Sequence, residues 1–260
     1  MHYVSRGHGA PPLVFVHGFA CSHQDWRLQL DFFSKTNEVV ACDLRGHGAT
    51  PGRPHECSIE HYGGDVAALL ANLDFSKAIL VGHSMGCRVV LEANRLAPAR
   101  VAGIVLVDGS RLASGDPDAA ESAARALIDK PGYSAFAENL FRQMFFRASP
   151  LAEAIVARAL RQPTEISSAL WPRLARWDAA HMDAALTAVR VPLMAIQSTT
   201  RDAQLRRTPL KPGESSPWLD LLRQKVPSAK IEIISGVGHF PQLEAAETVN
   251  RLIAGFVQKP

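Results

Sequence analysis

The sequence predicts an α/β protein: a mostly parallel, doubly wound sheet interrupted by one all-helical insertion. Three observations carry this expectation. Short runs of Val, Ile and Leu alternate with longer segments of helical periodicity. The apolar runs are continuous, which marks strands buried on both faces. One stretch, 111–190, contains no strand-like run. Strands that alternate with helices wind into a parallel sheet covered on both sides.

In chain order, strands are predicted over 2–5, 13–17, 39–43, 78–81, 101–108, 192–197 and 230–235. Helices are predicted over 24–34, 59–73, 84–97, 217–226 and 243–257. The insertion is rich in Ala, Arg and Leu at helical spacing, and Pro131, Pro150, Pro163 and Pro172 divide it into about four helices. The expected organisation is a core formed by 1–110 and 191–260 with a helical domain, 111–190, set into it. Large apolar residues concentrate in that insertion. Some form its own core. Others are expected to face the sheet and line an apolar pocket, with Phe136, Phe141, Phe145, Trp171 and Trp177 as candidates beside Cys21.

At 260 residues, 47% hydrophobic and 20% charged, the chain has ordinary globular composition. It has no apolar run near the ~18 residues of a membrane span. Its first residues lack the apolar core of a signal peptide, so a cytoplasmic location is expected. The formal charge of +3 is spread out rather than gathered in a stripe. Neither nucleic acid nor membrane is therefore expected as a partner. A small-molecule substrate is, with the chain a monomer or homodimer. Cys21, Cys42, Cys57 and Cys87 form no Cys-x-x-Cys pair and read as buried free thiols.

The chemistry is concentrated at a few sites. Residues 79–86 read Ile-Leu-Val-Gly-His-Ser-Met-Gly, an apolar run ending in Gly82-x-Ser84-x-Gly86 with a helical segment directly behind. A strand, a sharp turn and a helix lift a serine hydroxyl above the end of a sheet. The glycines are needed because side chains there would collide with the neighbouring strand and helix. A serine needs a base. His239 follows the apolar strand through Ile231, Ile233 and Ile234 in a Gly-containing loop, on the same sheet edge as Ser84. His83 is expected to point away from the hydroxyl. Two acids could orient His239: Asp108, at the end of a strand, and Asp202, in a polar loop with Arg206 and Arg207. Asp108 is favoured for its rigid placement. An oxyanion hole is expected from the N–H groups of Met85 and Phe19, with His17 bracing the Phe19 loop. The segment Asp43-Leu-Arg-Gly-His-Gly48 lacks the Lys-Ser/Thr of a P-loop and reads as a structural turn.

Together, His17-Gly-Phe, Asp43-Leu-Arg-Gly-His-Gly48, Gly82-His-Ser-Met-Gly86 and Gly238-His-Phe-Pro241 resemble the α/β-hydrolase superfamily over nearly the whole chain, with 111–190 as its helical cap. The order Ser…Asp…His fits. The chain departs from the usual pattern in a short N-terminus and in an extended stretch over 205–216, which puts Asp202 in doubt. Some relatives, certain lactone hydrolases and cofactor-independent dioxygenases among them, carry the acid at the position of Asp108. The resemblance implies a serine hydrolase of carboxylic esters or lactones, needing no metal or organic cofactor. The rivals are a cofactor-independent dioxygenase or C–C bond hydrolase of the same fold, and a ligand-binding receptor with a retained triad. Serine at the elbow argues against the aspartate chemistry of epoxide hydrolases and haloalkane dehalogenases. Activity is expected to fall on acidification near the ordinary imidazole pKa of ~6–7.

Overall fold

The computed structural model describes residues 1–202 and 206–258. Its strands are β1 (Tyr3–Arg6), β2 (Leu13–Val16), β3 (Val39–Cys42), β4 (Ala78–His83), β5 (Val101–Val107), β6 (Leu193–Gln197), β7 (Thr199–Arg201), β8 (Arg207–Pro209) and β9 (Lys230–Ile233). Its helices are α1 (Arg27–Phe33), α2 (Ile59–Asn72), α3 (Met85–Leu96), α4 (Pro117–Asp129), α5 (Tyr133–Arg142), α6 (Pro150–Arg161), α7 (Thr164–Thr187), α8 (Pro217–Lys225), α9 (Pro241–Glu244) and α10 (Ala246–Val257).

The main sheet has the order β1-β3-β2-β4-β5-β6-β9. Only β1 runs antiparallel to its neighbour. Side chains alternate across each strand. Leu13 and Phe15 of β2 join Leu30 and Phe33 of α1 and Val249 and Ile253 of α10 on one face. Val14 and Val16 join Tyr62 and Val66 of α2 and Val89 and Val90 of α3 on the other. Both faces are covered, which is why the strands read as unbroken apolar runs.

Four helices, α4 to α7, lie between β5 and β6. Pro150 opens α6 and Pro163 precedes α7, but Pro172 lies inside α7 rather than ending a helix. Proline in a helix interior removes a backbone hydrogen bond and crowds the preceding turn; α7 nonetheless continues through Pro172, which is buried.

Two expectations are corrected. The stretch after Gln197 is not simply an extended polar loop. It folds as an antiparallel hairpin in which Thr199 pairs with Pro209 and Arg201 with Arg207; residue 205 lies outside the described residues. The last helix is broken at Ala245, whose backbone is at φ −137° and ψ 44°. The break lets the Glu244 carboxylate turn back to accept hydrogen bonds from the N–H groups of Gly238 and Phe240 at 3.0 and 3.2 Å. Glu244 thus clamps the loop that carries His239 from both sides.

Candidate active site

Ser84, between β4 and α3, sits at φ 55° and ψ −113°. Such a conformation costs a non-glycine residue about 1–3 kcal/mol and persists only where the surroundings over-determine it. Here they do. A methyl group at position 82 would lie 2.3 Å from the Gly86 carbonyl oxygen, and one at position 86 would lie 2.3 Å from that of Val16. β2, β4 and the first turn of α3 therefore close together only because both positions lack a side chain. Asp108, directly after β5, has φ 45°, and Ala20, in the loop after β2, has φ 53°. Three of the four described non-glycine residues with positive φ thus lie at the carboxyl ends of the parallel strands; the fourth, Asp74, lies before β4. The carboxyl ends are where open α/β sheets hold their ligands.

His239 is held at the same edge. Its N–H donates to the Met144 carbonyl at 2.8 Å. His83 borders the same small chamber instead of pointing away from it, and its Nε2–H donates to the His239 carbonyl at 2.7 Å. The Nδ1 of His239 lies 2.6 Å from Asp108 Oδ2. A carboxylate accepts, so Nδ1 carries the proton and Nε2 keeps its lone pair. Nε2 is buried and has no hydrogen-bond partner among the described residues, so the expected serine–imidazole hydrogen bond is not formed here. Ser84 and His239 both line a chamber whose free volume is only about 20 Å³. That is room for one water, and such contacts commonly tighten only once substrate is bound. The set can draw a proton from a hydroxyl onto Nε2 while the carboxylate steadies the resulting imidazolium.

Of the two acids left open by the sequence, Asp108 meets His239. Its Oδ1 accepts from the N–H groups of Ser198 and Thr199 at 2.8 and 2.9 Å. Its Oδ2 also takes the Thr199 hydroxyl at 2.5 Å and Arg207 Nη1 at 3.1 Å. Asp202 accepts from N and Nε of Arg206, at 2.9 and 2.8 Å, in an exposed pairing.

Burial, and then the charges of Arg207, Arg201 and Arg88, push the His239 pKa well below its ordinary 6.5. The Asp108 charge that would oppose this is shared with Arg207. A general base must be unprotonated, so the acid limb of kcat/KM is expected below pH 6.5 rather than at the ordinary imidazole value. Initial rates across pH 4.5–8 check this, and a midpoint at or above 6.5 would contradict the placement of those arginines.

Phe19, Met85, Cys21, Phe141 and Trp171 all line the chamber. Met85 opens α3, where a helix leaves its N–H groups without intrahelical acceptors. Three aromatics proposed for the pocket stand behind that lining instead. Phe136 packs edge-on against Trp171, with centroids 5.0 Å apart. Phe145 stacks on Phe240 at 5.3 Å. Trp177 is fully buried in the core. Burial pushes the Cys21 thiol well above its ordinary pKa, with Asp25 adding to the effect. It is therefore a thiol rather than a thiolate nucleophile.

His17 braces the Phe19 loop, its Nδ1–H donating to Gly18 O at 2.7 Å and its Nε2 accepting from Leu44 N–H at 3.0 Å. Asp43 braces the next loop by accepting from the N–H groups of His23 and Ala49. With His2 and His23 it makes the one cluster of metal-ligand type among the described residues. Its oxygens are already engaged by both imidazoles. The sequence reading missed Arg88, Arg201 and Arg207, all of which border the chamber, and Glu244 behind it. The hairpin that carries Arg201 and Arg207, Thr-Thr-Arg paired with Arg-Thr-Pro, has no apolar alternation to signal it.

A model of the alpha/beta hydrolase family matches residues 13–252. The chain belongs to that family. It is 27% identical, over 97% of its length, to the dihydrolipoyllysine-residue acetyltransferase component of the acetoin cleaving system of Pseudomonas putida, covering 65% of that protein. It is 36% identical to epoxide hydrolase 3 of Mus musculus, over 42% of this chain and 30% of that one. The chain thus spans less than two thirds of these curated relatives. Among solved structures it resembles a thermophilic esterase from Thermogutta terrifontis, at 25% identity and a TM-score of 0.81, covering 99% of this chain and 93% of the other. An N-acyl homoserine lactone degrading enzyme, Est816, shares the fold at 24% identity and a TM-score of 0.78, over 98% and 96% of the two chains. Among the described residues, no helix is long and apolar enough to cross a membrane.

Proposed function

We propose that the protein is a serine hydrolase that cleaves a carboxylic ester or lactone through an acyl-enzyme on Ser84. The observation that carries this is the 2.6 Å contact between His239 Nδ1 and Asp108 Oδ2, which leaves a free Nε2 in the chamber of a strained serine. Family membership and the likeness to an esterase support it.

In this reading Ser84 Oγ attacks the carbonyl carbon as His239 Nε2 takes the hydroxyl proton. The N–H groups of Met85 and Phe19 hold the oxyanion. Ala20 N–H, next in the loop, is already committed to His47 Nε2 at 3.3 Å. His239 returns its proton to the leaving alcohol, then draws one from water to release the acid. Helices α4 to α7 act as the cap. Phe141, Trp171 and Leu174 from α5 and α7 line the chamber from the cap. A panel of esters and lactones of graded acyl length tests the activity. Mass spectrometry of the protein, quenched during turnover and then digested, is expected to show one acyl adduct on the peptide containing Ser84. Absence of turnover across the panel, or an adduct elsewhere, refutes the reading.

A further inference from the structure

Three arginines border the chamber at Ser84: Arg88, Arg201 and Arg207. Carboxylates meet two of them. Asp178 takes Nε and Nη2 of Arg88 at 2.7 and 2.6 Å. Asp108 takes Nη1 of Arg207 at 3.1 Å. Arg201 is different: its Nε and Nη2 are buried and have no hydrogen-bond partner among the described residues. Neither nearby acid is free to turn to it. Asp178 also accepts the Leu112 N–H at 2.6 Å, and Asp108 is committed to His239, Ser198 and Thr199. The hairpin register sets Arg201 directly opposite Arg207, an arrangement of like charges that is unfavourable by itself. Burial, then Arg207 and Arg88, push its pKa down. Asp178 and Asp108 oppose this only through space. A largely buried cation with no carboxylate bonded to it among the described residues is costly to hold, and an anion arriving there removes that cost.

The free edge has a specific shape. Nε and Nη2 form the side-on fork that grips both oxygens of one carboxylate. The chain uses this edge on carboxylates elsewhere: Arg45 on Asp65 at 2.6 and 2.7 Å, Arg95 on Glu92 at 3.0 and 2.6 Å, and Arg88 on Asp178. The Arg201 guanidinium lies over the Trp171 ring, Cζ 5.8 Å from its centroid, which steadies its plane. Arg201 also stands in a shared wall. With Ser110, Leu112 and Arg207 it borders both the chamber and an adjoining cavity of about 650 Å³. The cavity has the size of a small-molecule site, and the chamber alone does not.

We propose that the substrate carries a carboxylate in addition to its ester or lactone group. The carboxylate sits on the Nε–Nη2 edge of Arg201, the body of the molecule occupies the adjoining cavity, and the scissile carbonyl reaches Ser84. This rests on the hydrolase reading and adds the charge of the substrate to it.

The test compares two esters of equal acyl length: the para-nitrophenyl monoester of adipic acid and para-nitrophenyl hexanoate. In the wild type the ratio of their kcat/KM values favours the adipate ester. In Arg201→Gln that ratio falls about 10- to 100-fold, the range for a charged hydrogen-bonded contact, through KM of the anionic ester. Arg201→Lys, a point charge without the fork, retains part of it. Using a ratio cancels any general loss of activity. Calorimetry on Ser84→Ala supplies a readout without turnover: adipate binds, and binding is lost in Ser84→Ala/Arg201→Gln. If neither ester is hydrolysed, the hydrolase reading fails, while the calorimetry still decides the anion site. A ratio unmoved by Arg201→Gln, no adipate binding, or inorganic phosphate binding more tightly than adipate overturns the proposal.

Discussion

Replacing Ser84 by alanine is expected to lower kcat on a carboxylic ester by about 10⁶-fold, and replacing Asp108 by asparagine by about 10⁴-fold. In the proposed mechanism the first change removes the oxygen that carries the acyl group. The second acts through hydrogen-bond polarity. Two backbone N–H groups, from Ser198 and Thr199, point at Oδ1 of Asp108, so an asparagine must keep its carbonyl oxygen there. Its NH₂ then falls where Oδ2 faced His239 Nδ1. A donor at that place forces the imidazole proton onto Nε2 and leaves no lone pair for the serine. Asp202→Asn supplies the contrast. Asp202 forms an exposed ion pair with Arg206, and pairs of that kind are worth about 1 kcal/mol at most, so kcat is expected within about twofold of wild type. Loss of activity in Asp202→Asn with retention in Asp108→Asn would reverse the assignment of the acid. Asp108→Asn also strips Arg207 of its buried counter-charge, a change that costs about 3–5 kcal/mol. Rates are therefore taken well below the melting temperature of each variant, so that lost structure is not read as lost chemistry.

The tight turn at Ser84 and the placement of His239 at the same sheet edge were legible because such a turn imposes local backbone demands. Gly82 and Gly86 are required by contacts of 2.3 Å that any Cβ would make, and such demands leave a mark within five residues of sequence. Four helices in the insertion were legible from periodicity, since each buries one stripe. Asp108 and Asp202 could not be separated with certainty, because what distinguishes them is a neighbour more than a hundred positions away. Arg207 looked like a surface residue in a polar segment. Its partners are the Thr199 hydroxyl, across the local hairpin, and Asp108, which approaches it only through tertiary structure. The same holds for the pocket. Phe141 and Trp171 reach the chamber while Phe136 and Phe145 stop one ring short. A helix pattern says which stripe is apolar; it does not say which part of that stripe overhangs the sheet. The arginines that border the chamber, Arg88, Arg201 and Arg207, belong to this second kind.

Stability is expected to fall steeply between pH 7 and pH 5, by about 2 kcal/mol for each of three buried histidines. Burial lowers His17 to about 4, His47 to about 3 and His83 to about 3 from an ordinary 6.5. The hydrogen bonds point the same way. His17 Nε2 accepts the Leu44 N–H and His47 Nε2 accepts the Ala20 N–H, while each Nδ1–H donates to a carbonyl. A second proton on either ring would set two donors head to head. His83 donates from Nε2 and has a buried Nδ1 with no partner to receive a proton's hydrogen bond. In the unfolded chain all three titrate at ordinary values, so between pH 6.5 and the folded values the unfolded state binds more protons and is favoured. The stabilisation is complete above pH 6.5 and is lost progressively as pH falls below it. At pH 5 all three are still neutral in the folded protein, so the loss depends little on how far below 5 each value lies. Together they remove about 6 kcal/mol, comparable to the whole stability of many domains, and lower Tm by about 10–20 °C. Melting curves at fixed ionic strength measure it. In His47→Gln the amide oxygen can still accept from Ala20 N–H, and one acid-binding group leaves the unfolded chain. The slope of stability against pH over pH 5–6 is then expected to drop by about 1.4 kcal/mol per pH unit. A Tm that stays level from pH 7 to 5 would mean that these rings accept protons without losing their places, which the donor directions around His17 and His47 forbid.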